Sequence, residues 1–136
     1  MTPAEQARLL VRKAAQDLAA LERLLGDPAI DAATLGFHAQ QAAEKLLKTL
    51  LAVGGHNYPR SHDIDLLLDL LADVGVQLPE ELLAVDSLTP FATVYRYEDL
   101  PLEEEPDPQA WPQLLRSLEG HVIRSIEAAE APPPQP

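Results

Sequence analysis

The sequence predicts an all-α protein of four principal helices, with one or two short helices between the third and the last. Three observations predict it. Apolar residues recur at steps of three and four in four long segments, the signature of a 3.6-residue period. No segment alternates polar and apolar residues as a half-buried strand would. The helical segments are separated by Gly-Asp-Pro, Gly-Gly and Asp-Pro punctuation of the kind that ends or caps helices.

Each element has its own justification. Thr2-Pro3-Ala4-Glu5 supplies an N-cap, a proline at the first helical position and a capping glutamate. The first helix then runs to about Leu25, with Val11, Ala14, Leu18, Leu21 and Leu25 on one stripe, and Gly26-Asp27-Pro28 stops it. Asp31 caps a second helix reaching about Val53. Its stripe of Leu35, Ala39, Ala42, Leu46, Leu50 and Val53 is widened by Ala43, Leu47 and Leu51. A helix apolar over most of its circumference is contacted from several sides. Gly54-Gly55 ends it. Ser61 or Asp63 caps a third helix through Leu71 or Val74, with Asp63 and Asp65 suited to the positive end of its dipole. Short helices are expected at Leu78–Leu83 and from Thr89-Pro90 toward Tyr95. Residues 98–109, with six acids and three prolines, predict an exposed loop. Asp107-Pro108 caps a last helix to about Ala129, buried through Trp111, Leu114, Leu115, Leu118, Val122 and Ile126. The expected organisation is one helical domain over residues 1–130 and an extended, disordered Pro-rich tail over 131–136.

Composition bounds the function. A chain of 136 residues buries roughly two-thirds of its unfolded surface, enough for a real core. Without cysteine there is no disulfide framework and no thiolate chemistry. The four histidines show no i,i+4 pairing, so no metal site and no cofactor is expected. No apolar run approaches the roughly 18 residues that span a bilayer. The first residues show no signal-peptide pattern, so a cytoplasmic protein without membrane association is expected. Net charge is −12, and unevenly spread. Residues 63–109 hold thirteen acids and one base, Arg96, whereas residues 36–62 hold Lys45, Lys48 and Arg60 against Glu44. The overall field repels duplex DNA. A small basic cleft for a nucleotide or a few phosphates stays open, as does simple solubility charge.

The second helix carries the most unusual residues. Phe37, Gln41, Glu44 and Lys48 stand at steps of four, three and four and share one face. Glu44 to Lys48 is the favoured order for an i,i+4 ion pair. Burying amides and charges without partners costs several kcal/mol, so this face lines a cleft or is met by Arg60, His62 or Arg96. Arg96 can knit acidic neighbours together or grip a phosphate bidentately. Arg116 and His121 form an Arg-x4-His pair, a weak signal in a chain with seven arginines and four histidines. A five-residue helical step leaves two side chains about 140° apart.

The run His38-Ala39-Gln40-Gln41-Ala42-Ala43-Glu44-Lys45-Leu46-Leu47-Lys48, the loop Pro59-Arg60-Ser61-His62-Asp63 and the pair Arg96-Tyr97 together resemble the HEPN domain family, over roughly Glu5 to Glu130. The resemblance implies an antiparallel up-and-down helical bundle that forms homodimers. It also implies a partner, the minimal nucleotidyltransferase (MNT) often encoded beside such proteins in toxin–antitoxin modules. Toxic members of the family it resembles are metal-independent ribonucleases that use an Arg-x(4–6)-His motif across the dimer cleft, and the MNT partner can silence them by adding nucleotides. Here Arg96 has no histidine at that spacing, and Arg116 is followed by Ser117 rather than a strongly polar or charged group. The expectation is therefore a non-catalytic nucleotide- or partner-binding protein. Gln41, Glu44, Lys45, Lys48, His62, Arg96 and Tyr97 would form its site. The alternative is a toxin ribonuclease acting on RNA through Arg116 and His121. A plain dimerisation module with an internally satisfied polar face is the third reading.

Overall fold

The computed structural model describes residues 1–92, 94–96, 98 and 107–132, with only the backbone of Arg96. The described residues are all-α, without strands. Four α-helices dominate: α1 Pro3–Leu24, α2 Ala32–Val53, α3 Ile64–Asp73 and α4 Trp111–Glu130. The expected 98–109 loop and the 131–136 tail fall largely outside the described residues.

The caps are where the sequence places them. Thr2 accepts from the Glu5 amide at 3.1 Å, and its hydroxyl donates to the Glu5 carboxylate at 3.0 Å. Asp31 accepts from the Thr34 amide at 2.8 Å, a bond that holds the Asp31 carboxyl below its ordinary range. Between the two candidate caps of α3, Asp63 is the one used, accepting from Leu66, while Ser61 Oγ accepts from the Asp63 amide. Gly55 turns the chain out of α2 with φ +73°, a conformation that glycine adopts without strain. Asp107 caps a single 3₁₀ turn, Pro108–Ala110, which runs straight into α4.

The stretch between α3 and α4 differs from expectation. The expected short helices are present as 3₁₀ helices with other bounds, Glu80–Ala92 and Val94–Arg96. Pro90 lacks an amide proton, and the Ser87 hydroxyl donates to the Ala84 carbonyl, so a regular α ladder has lost support there. Leu82, Val85, Leu88 and Phe91 recur every third residue and are all buried. In a 3₁₀ helix side chains three apart eclipse, so this repeat makes one core-facing stripe. Phe91 closes it, meeting Trp111 edge-on at 5.3 Å between ring centroids.

Helix α2 is the axis of the molecule. It packs against α1, α3, α4 and the 3₁₀ stretch, as its all-round apolarity predicts. Leu18 and Leu21 of α1, Leu46, Leu47 and Leu51 of α2, Leu67 and Leu71 of α3, and Leu115 and Leu118 of α4 form the fully buried centre. Gly36 lets the Phe91 ring lie against the α2 backbone, since a Cβ there would sit 2.1 Å from Phe91 Cδ1. Among the described residues, no helix is long and apolar enough to cross a membrane.

Candidate functional site

The polar residues of α2 are buried and bonded to one another. Gln40, Glu44, Lys48 and Thr49 are the buried polar residues among those described, all on this one helix. Glu44 is the hub. Its Oε2 accepts from Lys48 Nζ at 2.9 Å. Its Oε1 accepts from Gln40 Nε2 at 3.1 Å and lies 2.7 Å from His62 Nδ1. Gln40 Nε2 donates its other proton to the His62 carbonyl at 3.0 Å. One amide thus fixes both the hub and the loop that carries the imidazole.

Burial alone pushes the Glu44 carboxyl up. The hydrogen bonds from His62, Lys48 and Gln40, with the charge of Lys48, outweigh it and hold the group below its ordinary range. Glu44 is therefore a carboxylate at neutral pH. A carboxylate only accepts, so His62 Nδ1 carries the proton in this contact. The Glu44 side chain is 7 % exposed and that of His62 is 59 % exposed. A buried negative charge thus orients an imidazole that is open to the surroundings.

The network extends in both directions. Gln41 Nε2 donates to Gln40 Oε1 at 2.7 Å, and Lys45 Nζ reaches Gln41 Oε1 at 3.4 Å and Asp17 of α1 at 2.5 Å. On the other side Lys48 Nζ stands 5.7 Å from the Tyr58 ring centroid, a cation–π approach. The Tyr58 hydroxyl accepts from Gln6 Nε2 of α1. A cleft of about 350 Å³ opens there, lined by residues that include Thr2, Gln6, His56, Asn57 and Tyr58.

The structure brings together Gln41, Glu44, Lys45, Lys48 and His62 of the expected site. Lys45 is directed to α1. Arg60, offered as a partner for this face, is exposed and makes no hydrogen bond or ion pair among the described residues. The Arg96 side chain and Tyr97 lie outside the described residues. Gln40 was not among the expected site residues, although it is fully buried and bonded to three of the network's residues. Its position four residues before Glu44 was the available signal. Tyr58 and Gln6 carried no sequence signal, because a loop and the start of α1 meet only in the fold. His38 Nδ1 is a buried atom without a hydrogen-bond partner among the described residues.

Arg116 and His121 sit elsewhere, on α4. With Ser117, Gly120 and Arg124 they line a groove of about 360 Å³ closed on the other side by Pro79, Glu81 and Leu82. Both thus border one groove despite their angular separation. Arg116 is already engaged. Its guanidinium donates to both carboxylate oxygens of Glu22 on α1 and to Glu119 at 2.9 Å. Those two carboxylates, Glu22 first, raise its pKa further. Two acids on one arginine leave the pair of groups unfavourable to phosphate unless the arginine is released. Among the described residues no cluster of three or more His, Cys, Asp or Glu side chains is placed to hold a metal ion.

The HEPN domain family model matches residues 7–129, nearly the whole helical region. No curated protein and no solved structure matches the chain.

Proposed function

Because the chain belongs to the HEPN domain family, we propose that it is a non-catalytic binding component that acts with a minimal nucleotidyltransferase in a toxin–antitoxin-like module. In this reading it works as a homodimer in the cytoplasm, and the open edge of the α2 network receives a nucleotide or a loop of the partner. His62 and Lys48 meet phosphate or carboxylate, and Gln41 meets a base edge or a backbone amide. Arg96 and Tyr97 belong to the same proposed site.

One observation supports this above the others: a buried, ionised Glu44 aims both Lys48 and the exposed His62. A bundle selected for stability alone gains as much or more from apolar residues at such positions. The polar set is complete within itself, with each group hydrogen-bonded, so it is rigid before any ligand arrives. Rigid placement of donors lowers the ordering cost of binding.

The test is co-expression with a minimal nucleotidyltransferase, followed by size-exclusion chromatography, and calorimetric titration of the purified protein with ATP. The expected result is a stable complex or measurable nucleotide binding, weakened at least tenfold in His62→Ala and Gln41→Ala, with helical circular dichroism unchanged. Binding that survives both substitutions removes the reading.

A ribonuclease reading has one observation in its favour, the shared groove of Arg116, His121 and Arg124. Glu22 and Glu119 weigh against it. Incubation with RNA in the presence of a chelator separates the two. Cleavage that disappears in His121→Ala establishes the enzyme, and intact RNA at high protein concentration eliminates it.

A further inference from the structure

The acidity of this chain has a place in the fold, and that place is next to an apolar groove. Between Arg60 and Arg96 the sequence contains no lysine or arginine. Over the same stretch Asp63, Asp65, Asp69, Asp73, Glu80, Glu81 and Asp86 accumulate. They lie on α3, at its N-cap and on the 3₁₀ stretch after it, elements that pack against each other. The acids crowd one another. Burial first, then the charges of Asp86, Asp63 and Asp69, pushes the Asp65 carboxyl above its ordinary range. A fold gains nothing from such repulsion by itself.

These two elements and the loop between them enclose a mainly apolar groove of about 250 Å³, lined by Leu68, Leu71, Ala72, Val76, Gln77, Leu78 and Leu83. Leu71 is its buried floor, and Leu83 is exposed at its rim. Among the described elements, helix α3 packs on α2 and the 3₁₀ stretch, and no other described element covers its remaining face. The acids are interleaved with these positions: Asp69 follows Leu68, Asp73 follows Ala72, and Glu80 lies between Leu78 and Leu83.

We propose that the groove between α3 and the 3₁₀ stretch docks an amphipathic helix of a partner protein that is apolar on one face and rimmed by lysine or arginine. The reasoning is charge complementarity around an apolar centre. Apolar anchors fill the groove and give affinity, while basic flanks meet Asp69, Asp73 and Glu80 and set orientation and association rate. A second copy of this chain is a poor occupant. Symmetric pairing across this face would set the same acids against themselves, at a cost that rises with each like pair. An acidic or neutral helix gains only the apolar term. The inference rests on α3 and is independent of the α2 network, so either can fail without the other.

The probe is a fluorescein-labelled peptide of leucine and lysine, about five helical turns long, with leucine at i, i+3, i+4 and i+7. Its controls are a scrambled peptide of equal composition and a leucine–glutamate version. Fluorescence anisotropy with the full chain reads the affinity. The periodic basic peptide is expected to bind at least tenfold more tightly than either control. Leu83→Asp is expected to weaken it at least tenfold, and the double substitution Asp69→Asn/Asp73→Asn to weaken it severalfold with a shallower salt dependence. Leu83 is exposed, so its variant tests the surface and not the fold. Amide shifts on titration should concentrate at Leu68, Ala72, Val76 and Leu83. Equal binding of the scrambled peptide, or full binding by Leu83→Asp, overturns the proposal. Conversion of a dimer to a monomer by Leu83→Asp also overturns it, because the groove would then belong to a second copy.

Discussion

Replacing Glu44 by leucine removes the hub of the network, and the size of the effect follows from what remains. Lys48 Nζ loses its only ion-pair partner among the described residues, with its side chain 11 % exposed. Gln40 Nε2 keeps the His62 carbonyl but loses one acceptor. His62, largely exposed, can satisfy its ring with water. Breaking a buried pair from one side costs about 3–5 kcal/mol. Lys48 has a long stem and some access to solvent, so it can recover part of that by reaching outward. The orphaned amide proton adds about 1 kcal/mol. Glu44→Leu should therefore cost ~3 kcal/mol. Glu44→Leu/Lys48→Met removes both charges and keeps the volume, so it should recover most of the loss and end within ~1.5 kcal/mol of the native chain. Urea unfolding followed by circular dichroism, at fixed protein concentration and neutral pH, measures all four corners of the cycle. A single Glu44→Leu change costing under ~1 kcal/mol would refute the buried-charge account. So would a double variant no better than the sum of its parts.

Other outcomes follow from the same geometry. Glu44 has a folded pKa below its ordinary value, so its stabilising contribution is complete above that ordinary carboxylate range and is lost as pH falls through the lower folded value. Asp65, shifted upward, acts in the opposite sense and is relieved by protonation. Glu44→Gln should flatten the acid limb of a stability–pH curve, and an unchanged limb contradicts the assignment. Gly36→Ala gains roughly 1 kcal/mol of helix propensity. It also drives a methyl into the Phe91 ring, which Trp111 and Tyr95 hold in place, so the net should be a loss of ~1–2 kcal/mol and a lower Tm. A raised Tm contradicts the packing. Thr2→Ala should cost about 1 kcal/mol through loss of the α1 cap, read as a lowered urea midpoint.

The helices were legible because their signals are local. Thr2, Asp31 and Asp63 cap the helices they precede, and the all-round apolarity of Leu46, Leu47 and Leu51 marked α2 as the central element. Short helices between α3 and α4 were legible, but their bounds and their 3₁₀ type were not. Pro79 and Pro90 suggested two separate helices, but the deciding signal was the strict three-residue spacing of Leu82, Val85, Leu88 and Phe91. That spacing fits three residues per turn and not 3.6. In the candidate site, the Glu44–Lys48 pair and the arrival of His62 were readable from helical spacing and from the cost of burying charge. Gln40 was equally readable from its position four residues before Glu44. Nothing local foretold that Tyr58 would lie near Lys48 or that Glu22 would occupy Arg116, because those contacts join different elements, whereas the Arg116–Glu119 pair is a local i,i+3 contact.

The most direct measurement of the central claim is the tautomer of His62, read from its ring nitrogen shifts by heteronuclear NMR at a pH where the ring is neutral. An ionised, buried Glu44 at 2.7 Å requires the proton on Nδ1, and Glu44→Gln should release that preference. A neutral ring protonated on Nε2 in the native chain, with Glu44 titrating above the ordinary carboxylate range, would contradict the account.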